Sequence, residues 1–246
     1  MDNYVQFANI YDKLMDDFDY SNWAEYIVEI LNRNNIETNK ILELACGTGN
    51  MTIELLKRGY KVDAFDLSND MLTQAQQKLS KFKNLRLFHM DMTNFNINTS
   101  YDVAISICDS INYILDKEDL IKTFSNVYNH LNSGGVFIFD INSKYKIQTV
   151  LGNNTFIEDR ESVFYTWDNR YNLITNIGEY YLTFFTSTDG IIYKRFDEMH
   201  KQRAYSVEEI HSMLESVGFK HIEFTNAFEF EEITEKTERV NFVAIK

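Results

Sequence analysis

The chain has 246 residues, of which 44% are hydrophobic, 25% charged and 15% aromatic, with nine glycines and no proline. That balance excludes disordered, collagen-like and coiled-coil chains and leaves no Pro/Gly-rich linker. The net charge of −13, with no long basic run, argues against a nucleic-acid partner, because duplex binding works by neutralising phosphates.

Tyr4, Phe7, Tyr11, Leu14 and Phe18 recur at three- and four-residue spacings, which predicts an amphipathic helix, and a second helix is expected from Trp23 to Leu31. Lys40–Cys46 is a short apolar run ending in glycines. A helix follows from Met51 to Arg58, stopped by Gly59. Tyr60–Asp66 is the next strand, and Ser68 is a good N-cap for a helix carrying Met71, Leu72, Ala75, Leu79 and Phe82 on one side. Leu85–Met90, Val103–Cys108 and Val136–Ile141 read as three further strands. The last is preceded by a helix with Leu120, Phe124, Val127 and Leu131 in register. Strands that alternate with helices and are apolar on both parities make residues 41–142 a doubly wound α/β unit, its parallel sheet covered on both faces.

Residues 155–204 are richer in aromatic and β-branched side chains. Antiparallel strands are expected at Glu161–Trp167, Tyr171–Ile177, Glu179–Ser187 and Ile191–Lys201, with turns at Asp168-Asn169, Gly178 and 187–190. About 50 residues bury little core alone, so this excursion belongs to one domain, 1–246, with a helical cap (1–35) and a core (41–142). Residues 206–246 close that domain. Ser206 and Glu209 form a capping box before Ile210, Met213, Leu214 and Val217. His221–Phe224 and Val240–Ile245 return to strand around a solvated acidic loop, Glu229–Glu238.

Two cysteines, Cys46 and Cys108, make no disulfide scaffold and fit a reducing, cytoplasmic setting. The first ten residues lack the basic start and apolar run of a signal peptide, and no stretch approaches the about 18 apolar residues of a membrane span.

The chemistry begins at Glu43-Leu-Ala-Cys-Gly-Thr-Gly49, where a strand runs into a Gly-x-Gly turn that lets a ligand touch the main chain. A dinucleotide site needs a third glycine, and Thr52 holds that position, which opposes a nicotinamide enzyme. Asp66, 19 residues after Gly47, ends the second strand, where a carboxylate accepts both hydroxyls of a ribose. A plain helix-capping role for Asp66 competes with that reading. Asp91 follows the third strand beside Met92, a pairing suited to the amine and face of adenine, or to an ordinary surface turn.

In this order and spacing the residues resemble the cofactor site of class I S-adenosylmethionine-dependent methyltransferases, across residues 41–142, with 208–246 similar to the closing helix and reversed hairpin of that Rossmann-like, seven-stranded fold. The resemblance implies S-adenosyl-L-methionine as cofactor. It places Ala45, Gly47 and Gly49 at the methionine part, Asp66 on the ribose, and Asp91 with Met92 on the adenine, flanked by Leu67 and Met71. Ala45 stands where the family often has glycine. Phe7–Met15 with Asp19-Tyr20 resembles the N-terminal helix of small-molecule N-methyltransferases acting on glycine and amino sugars. In that group a tyrosine at the Tyr11 position reaches the methionine carboxylate, and the β excursion is a lid over the acceptor.

The expected reaction is in-line methyl transfer to an amine of a small-molecule acceptor, and the acid/base candidates for it are few. His130 and His211 read as surface residues on helices and His89 as structural. His200 is the candidate base, on a strand whose alternation sets it opposite Arg203. Tyr20, Asp109, Tyr113 and Arg203 are the candidate acceptor contacts, and Cys46 and Cys108 are expected near the methionine end. Two other readings stay open. Asp109, Asp140 and Asn142 offer oxygens for Mg²⁺ in an O-methyltransferase, although Ile141 separates ligands that the metal-dependent family carries adjacent. A cofactor-binding module without catalysis is the other.

Overall fold

The computed structural model describes residues 3–160 and 162–246, with side chains from Phe7 onward; Tyr4's side chain and Glu161 lie outside them. Helices α1 (Asn3–Leu14) and α2 (Tyr20–Arg33) precede a core in which strands and helices alternate: β1 (Lys40–Leu44), α3 (Asn50–Lys57), β2 (Lys61–Asp66), α4 (Asn69–Leu79), β3 (Leu85–His89), β4 (Tyr101–Ser106), α5 (Lys117–His130) and β5 (Leu131–Asn142). A 3-10 turn, Ser110–Tyr113, follows β4, and a π-helical turn, Lys146–Leu151, follows β5. The chain then makes β6 (Thr155–Arg160), β7 (Val163–Asn172), β8 (Ile177–Ser187) and β9 (Tyr193–Arg203), and closes with α6 (Val207–Val217), β10 (Lys220–Asn226) and β11 (Arg239–Ile245).

The seven-stranded sheet runs β10-β11-β5-β4-β1-β2-β3 and is parallel from β5 to β3, with β11 antiparallel to β5 and β10. This is the doubly wound, Rossmann-like sheet expected of residues 41–142, with the reversed hairpin added. Alternate side chains explain why helices cover both faces. Phe137, Phe139 and Ile141 of β5 pack with Phe124 of α5 and Leu214 of α6 on one side. Val136 and Ile138 pack with Ile27 of α2 and Leu55 of α3 on the other. The strand order reverses beside β1, so the ends of β1 and β4 diverge and leave a crevice there.

The caps follow the sequence. Ser68 Oγ accepts from Met71 N at the start of α4, and Ser206 with Glu209 forms the capping box of α6. The β excursion departs from expectation. Asp168-Asn169, expected as a turn, lies inside β7, and the turn falls at 173–176, where Asn172 Oδ1 accepts from Ile174 N (2.9 Å) and Thr175 N (3.2 Å). Gly178 is inside β8. The first strand is Thr155–Arg160, a polar edge strand with no apolar alternation to reveal it. His130 is buried, not at the surface: its Nε2 accepts from Ile97 N (3.0 Å), its Nδ1 meets Asn126 O (2.7 Å), and its ring packs on Phe95. The acidic loop is mostly exposed, but Phe228 just before it stacks on Trp23 with ring centroids 3.7 Å apart. Among the described residues no helix is long and apolar enough to cross a membrane.

Candidate active site

The loop after β1 turns through three left-handed residues, Ala45 (φ 52°), Gly47 (φ 55°) and Gly49 (φ 81°). At Gly49 a β-carbon would come within 2.7 Å of Leu79 Cδ1, so α4 packs directly on the loop. At Gly47 it would meet nothing within 4 Å, so the backbone borders an open cradle into which a side chain would intrude. Ala45 adopts a conformation that costs an L-residue about 1–2 kcal/mol, which gives the family preference for glycine its physical reason.

Asp66 ties this loop down. Its Oδ2 accepts from Gly47 N and its Oδ1 from Ser68 N, both at 2.8 Å. Since Ser68 itself caps α4, Asp66 is not that helix's cap. Burial raises its carboxyl above the usual range, and the N–H groups of Ser68, Gly47 and Leu67 oppose the rise. The end of β3 lies alongside: Met90 N donates to Asp66 O, and His89 Nε2 meets Leu67 O at 2.7 Å. Leu67 is 65% exposed there. Asp91 is also exposed and closes its own turn, accepting from Thr93 N and Oγ1 at 2.8 Å, while Met92 packs on the core. Met71 is turned toward Phe7 and Ile10 of α1.

Beneath the loop, Glu43 is buried and takes one hydrogen bond, from Thr52 Oγ1 at 2.7 Å. Burial pushes its carboxyl up to about 8; the Thr52 bond opposes this and Asp66 adds to it. A carboxyl raised in the fold contributes stability that is complete below its unfolded value near 4.5 and is lost as pH rises through about 8. Thermal unfolding of the wild type is therefore expected to show Tm falling across that window, and Glu43→Gln, neutral at every pH, to flatten the slope. Equal slopes in both proteins would remove Glu43 as the cause.

At the crevice beyond β4, Cys108 (φ 66°) and Asp109 (φ 50°) form a strained turn. Their N–H groups donate to Asp140 at 2.8 and 2.9 Å. Arg239, from β11, donates to Asp140 and, at 2.7 Å, to Asp109 Oδ1. Burial pushes the Asp109 carboxyl up, but Arg239 and Lys146 more than offset this and hold it below the usual range. Gln202 Nε2 donates to Asp109 Oδ2 at 2.6 Å. Cys108 Sγ donates to the Tyr20 hydroxyl at 3.6 Å. The Tyr11 hydroxyl, raised by burial, feels Cys108, Tyr20, Tyr113 and Asp109 as its electrostatic neighbours, so those five residues converge. Helix α1 is latched over them and the glycine loop by Asp12, which accepts from Thr48 Oγ1 (2.6 Å) and pairs with Lys78 (2.6 Å). Cys46 lies under the loop, its thiol 3.8 Å from Gly47 O.

Two sequence assignments change place. Asp109, Asp140 and Asn142 do not present a common set of oxygens. The Arg239 guanidinium sits between the two carboxylates, and Asn142 turns its Nδ2 to Gln202 Oε1. Arg203 points out of the site, donating to Leu115 O (3.0 Å) and lying over the Tyr205 ring. His200 faces inward, its ring 5.4 Å from Phe7 and 5.9 Å from Tyr113. The strand continues without a bulge, so Gln202, two residues on, shares its face; that signal was present in the alternation. Arg239 had no local signal at all.

The donor set fits S-adenosylmethionine: open space at a bare backbone, a carboxylate at the ribose position, and tyrosine hydroxyls at the far end. A family model described as a methyltransferase domain matches residues 41–135. YqeM of Bacillus subtilis (strain 168) is 36% identical over 244 residues, 99% of this chain and 97% of that one. The crystal structure of an S-adenosylmethionine-dependent methyltransferase from Clostridium acetobutylicum is 42% identical, with TM-score 0.90 over 98% of both chains. The dTDP-3-amino-3,4,6-trideoxy-alpha-D-glucopyranose N,N-dimethyltransferase of Streptomyces venezuelae is 28% identical over 138 residues, 55% of this chain and 57% of that one. Full-length identity at this level, on a sheet of this strand order, makes the chain a member of the class I S-adenosylmethionine-dependent methyltransferases, an enzyme with S-adenosylmethionine as its cofactor.

Proposed function

We propose that the enzyme, one domain over residues 1–246, methylates an amine of a small-molecule acceptor held between α1, the Ser110–Tyr113 turn and the β6–β9 sheet, which acts as the lid. The carrying observation is His200. Its Nε2 is buried with no hydrogen-bond partner among the described residues, and burial lowers its pKa, so a neutral imidazole with a bare nitrogen faces an aromatic enclosure. Bound S-adenosylmethionine supplies an electrophilic methyl on a sulfonium. The protein's part is alignment and exclusion of water, worth up to about 7–11 kcal/mol in well-oriented systems. Gly47, Gly49 and Ala45 hold the methionine part with Tyr11 and Cys108. Asp66 takes the ribose, and Leu67, Met71, Asp91 and Met92 border the adenine. Tyr20, Asp109 and Tyr113 contact the acceptor, and His200 accepts the proton that an ammonium must lose before its nitrogen can attack. The amino-sugar N,N-dimethyltransferase relative supports an amine. The Arg239-filled carboxylate pair speaks against a metal-assisted hydroxyl. The two free cysteines support a cytoplasmic location.

The test is S-adenosylhomocysteine formation with a panel of small amines. His200→Gln should lower kcat about tenfold at pH 7, less than the ~10²–10⁴ of a full general base because some amine is already neutral. Activity should return toward wild type above about pH 9, where the free amine dominates. An unchanged pH profile would remove His200 from proton transfer, and methylation of protein or RNA alone would sink the small-molecule reading.

A further inference from the structure

The inner face of the β6–β9 sheet holds polar groups that nothing in the fold satisfies. Across β9, β8 and β7 the register pairs Glu198 with Leu182 and Leu182 with Trp167; one step along, it pairs His200 with Tyr180 and Tyr180 with Asn169. Directly paired residues share a face, so these six form two adjacent rows under α1. Glu198 is 6% exposed and Asn169 2%. Glu198 Oε1, both amide atoms of Asn169, Trp167 Nε1 and His200 Nε2 are buried without a hydrogen-bond partner among the described residues. Folded proteins rarely leave one such atom orphaned, because each forfeits its hydration for nothing. Five on one face of one small sheet mark a surface built to be completed from outside.

The same face leads to the reaction centre. Gln202, on β9, bonds Asp109, His200 is two residues back and Glu198 two further, so at a strand rise of about 3.3 Å Glu198 lies about 13 Å from Gln202. Glu198 and Trp167 are two strand spacings apart, about 10 Å, with Leu182 of β8 between them.

We infer that Glu198, Asn169 and Trp167 recognise the acceptor remote from the methylated nitrogen, and that they take neutral hydroxyl groups on a ring-shaped amine. This rests on the amine methylation proposed above. The donor inventory selects hydroxyls. Trp167 Nε1 can only donate, Glu198 in its ionised form can only accept, and Asn169 does both. A hydroxyl donates and accepts, so a run of hydroxyls satisfies all three. A second cationic group would pair with Glu198 and strand the indole and amide N–H groups, and an anion would meet Glu198 with like charge.

Two measurements test this. Glu198→Leu removes a buried, unsatisfied carboxyl, so ligand-free protein should gain about 2–4 °C or more in Tm. A fall in Tm would show that Glu198 has an internal partner and would overturn the inference. The second compares D-glucosamine with cyclohexylamine, a ring amine without hydroxyls, as methyl acceptors. Wild type should favour D-glucosamine by about tenfold or more in kcat/KM, through KM, and Glu198→Gln and Glu198→Leu should erase the preference while leaving cyclohexylamine turnover and S-adenosylhomocysteine affinity unchanged. A preference that survives in both variants, or a wild type that prefers putrescine and loses that preference in Glu198→Gln, would overturn it. Calorimetry of D-glucosamine on the S-adenosylhomocysteine complex separates the two proposals. Binding that Glu198→Leu abolishes, without turnover of any amine, would fail the methylation reading alone; turnover of both amines without such binding would fail only the recognition.

Discussion

Replacing Arg239 by methionine is expected to cost the fold about 3–5 kcal/mol, the range for removing one member of a buried ion pair. The Arg239 side chain is 11% exposed and Asp140's is fully buried, so the lost charge cannot be replaced by water. Two carboxylates depend on it. Asp140 keeps the N–H bonds from Cys108 and Asp109, while Asp109 keeps only Gln202. Lys146 still bears on both carboxylates, but without the guanidinium between them they repel across the turn whose left-handed residues already carry strain, and that turn borders Tyr11, Tyr20 and Tyr113. Methylation should therefore fall with stability. Urea unfolding at pH 7 measures the loss, and adding Asp109→Asn in the same chain should restore part of it by removing one stranded charge. A loss under about 1 kcal/mol would mean that the carboxylates are solvated or neutral and that Arg239 holds nothing together.

Arg239 also shows where sequence reading stops. Residues that act through their own strand or turn were legible. Apolar runs alternating with helical stretches located β1 to β5, Ser68 and Ser206 announced their helices, and the spacing from Gly47 to Asp66 placed a carboxylate beside the loop it grips. Each of those signals is local, a period, a cap or a spacing that the chain states within about twenty residues. The Asp109–Arg239 bond spans 130 residues and joins the turn after β4 to β11, which the sheet order sets on either side of β5. Asp109 and Asp140 alone looked like ligands for a cation, and the fold supplies that cation as a side chain. The β excursion failed for a different reason. Asp168-Asn169 has turn chemistry, but Asn169 is 2% exposed in β7, where pairing with β8 overrides its preference. The misplaced turn hid the register that sets Asn169 beside Tyr180 and His200, and with it the row of unsatisfied groups.

Asp66→Ala is expected to weaken S-adenosylmethionine binding by about ten- to hundredfold, from a charge-assisted hydrogen bond worth roughly 1.5–3 kcal/mol. A carboxylate offers about four lone-pair positions, and the fold engages them with Gly47 N and Ser68 N at 2.8 Å and with the Leu67 N–H nearby. On the proposed reading the remaining capacity takes the vicinal hydroxyls of a ribose. Alanine removes both sets, so the substitution also loosens the glycine loop, and the fold should lose stability as well. The two effects separate because a loosened loop and a lost ribose contact depend differently on the ligand. Adenosine, which keeps the ribose and lacks the methionine part, reads Asp66 without the loop's grip on the amino acid. Calorimetry should show adenosine and S-adenosylhomocysteine weakened by a similar factor if the carboxylate binds the ribose. If adenosine binds the variant as it binds the wild type while S-adenosylhomocysteine is weakened, Asp66 acts only by pinning Gly47. If neither ligand changes, it serves the fold alone.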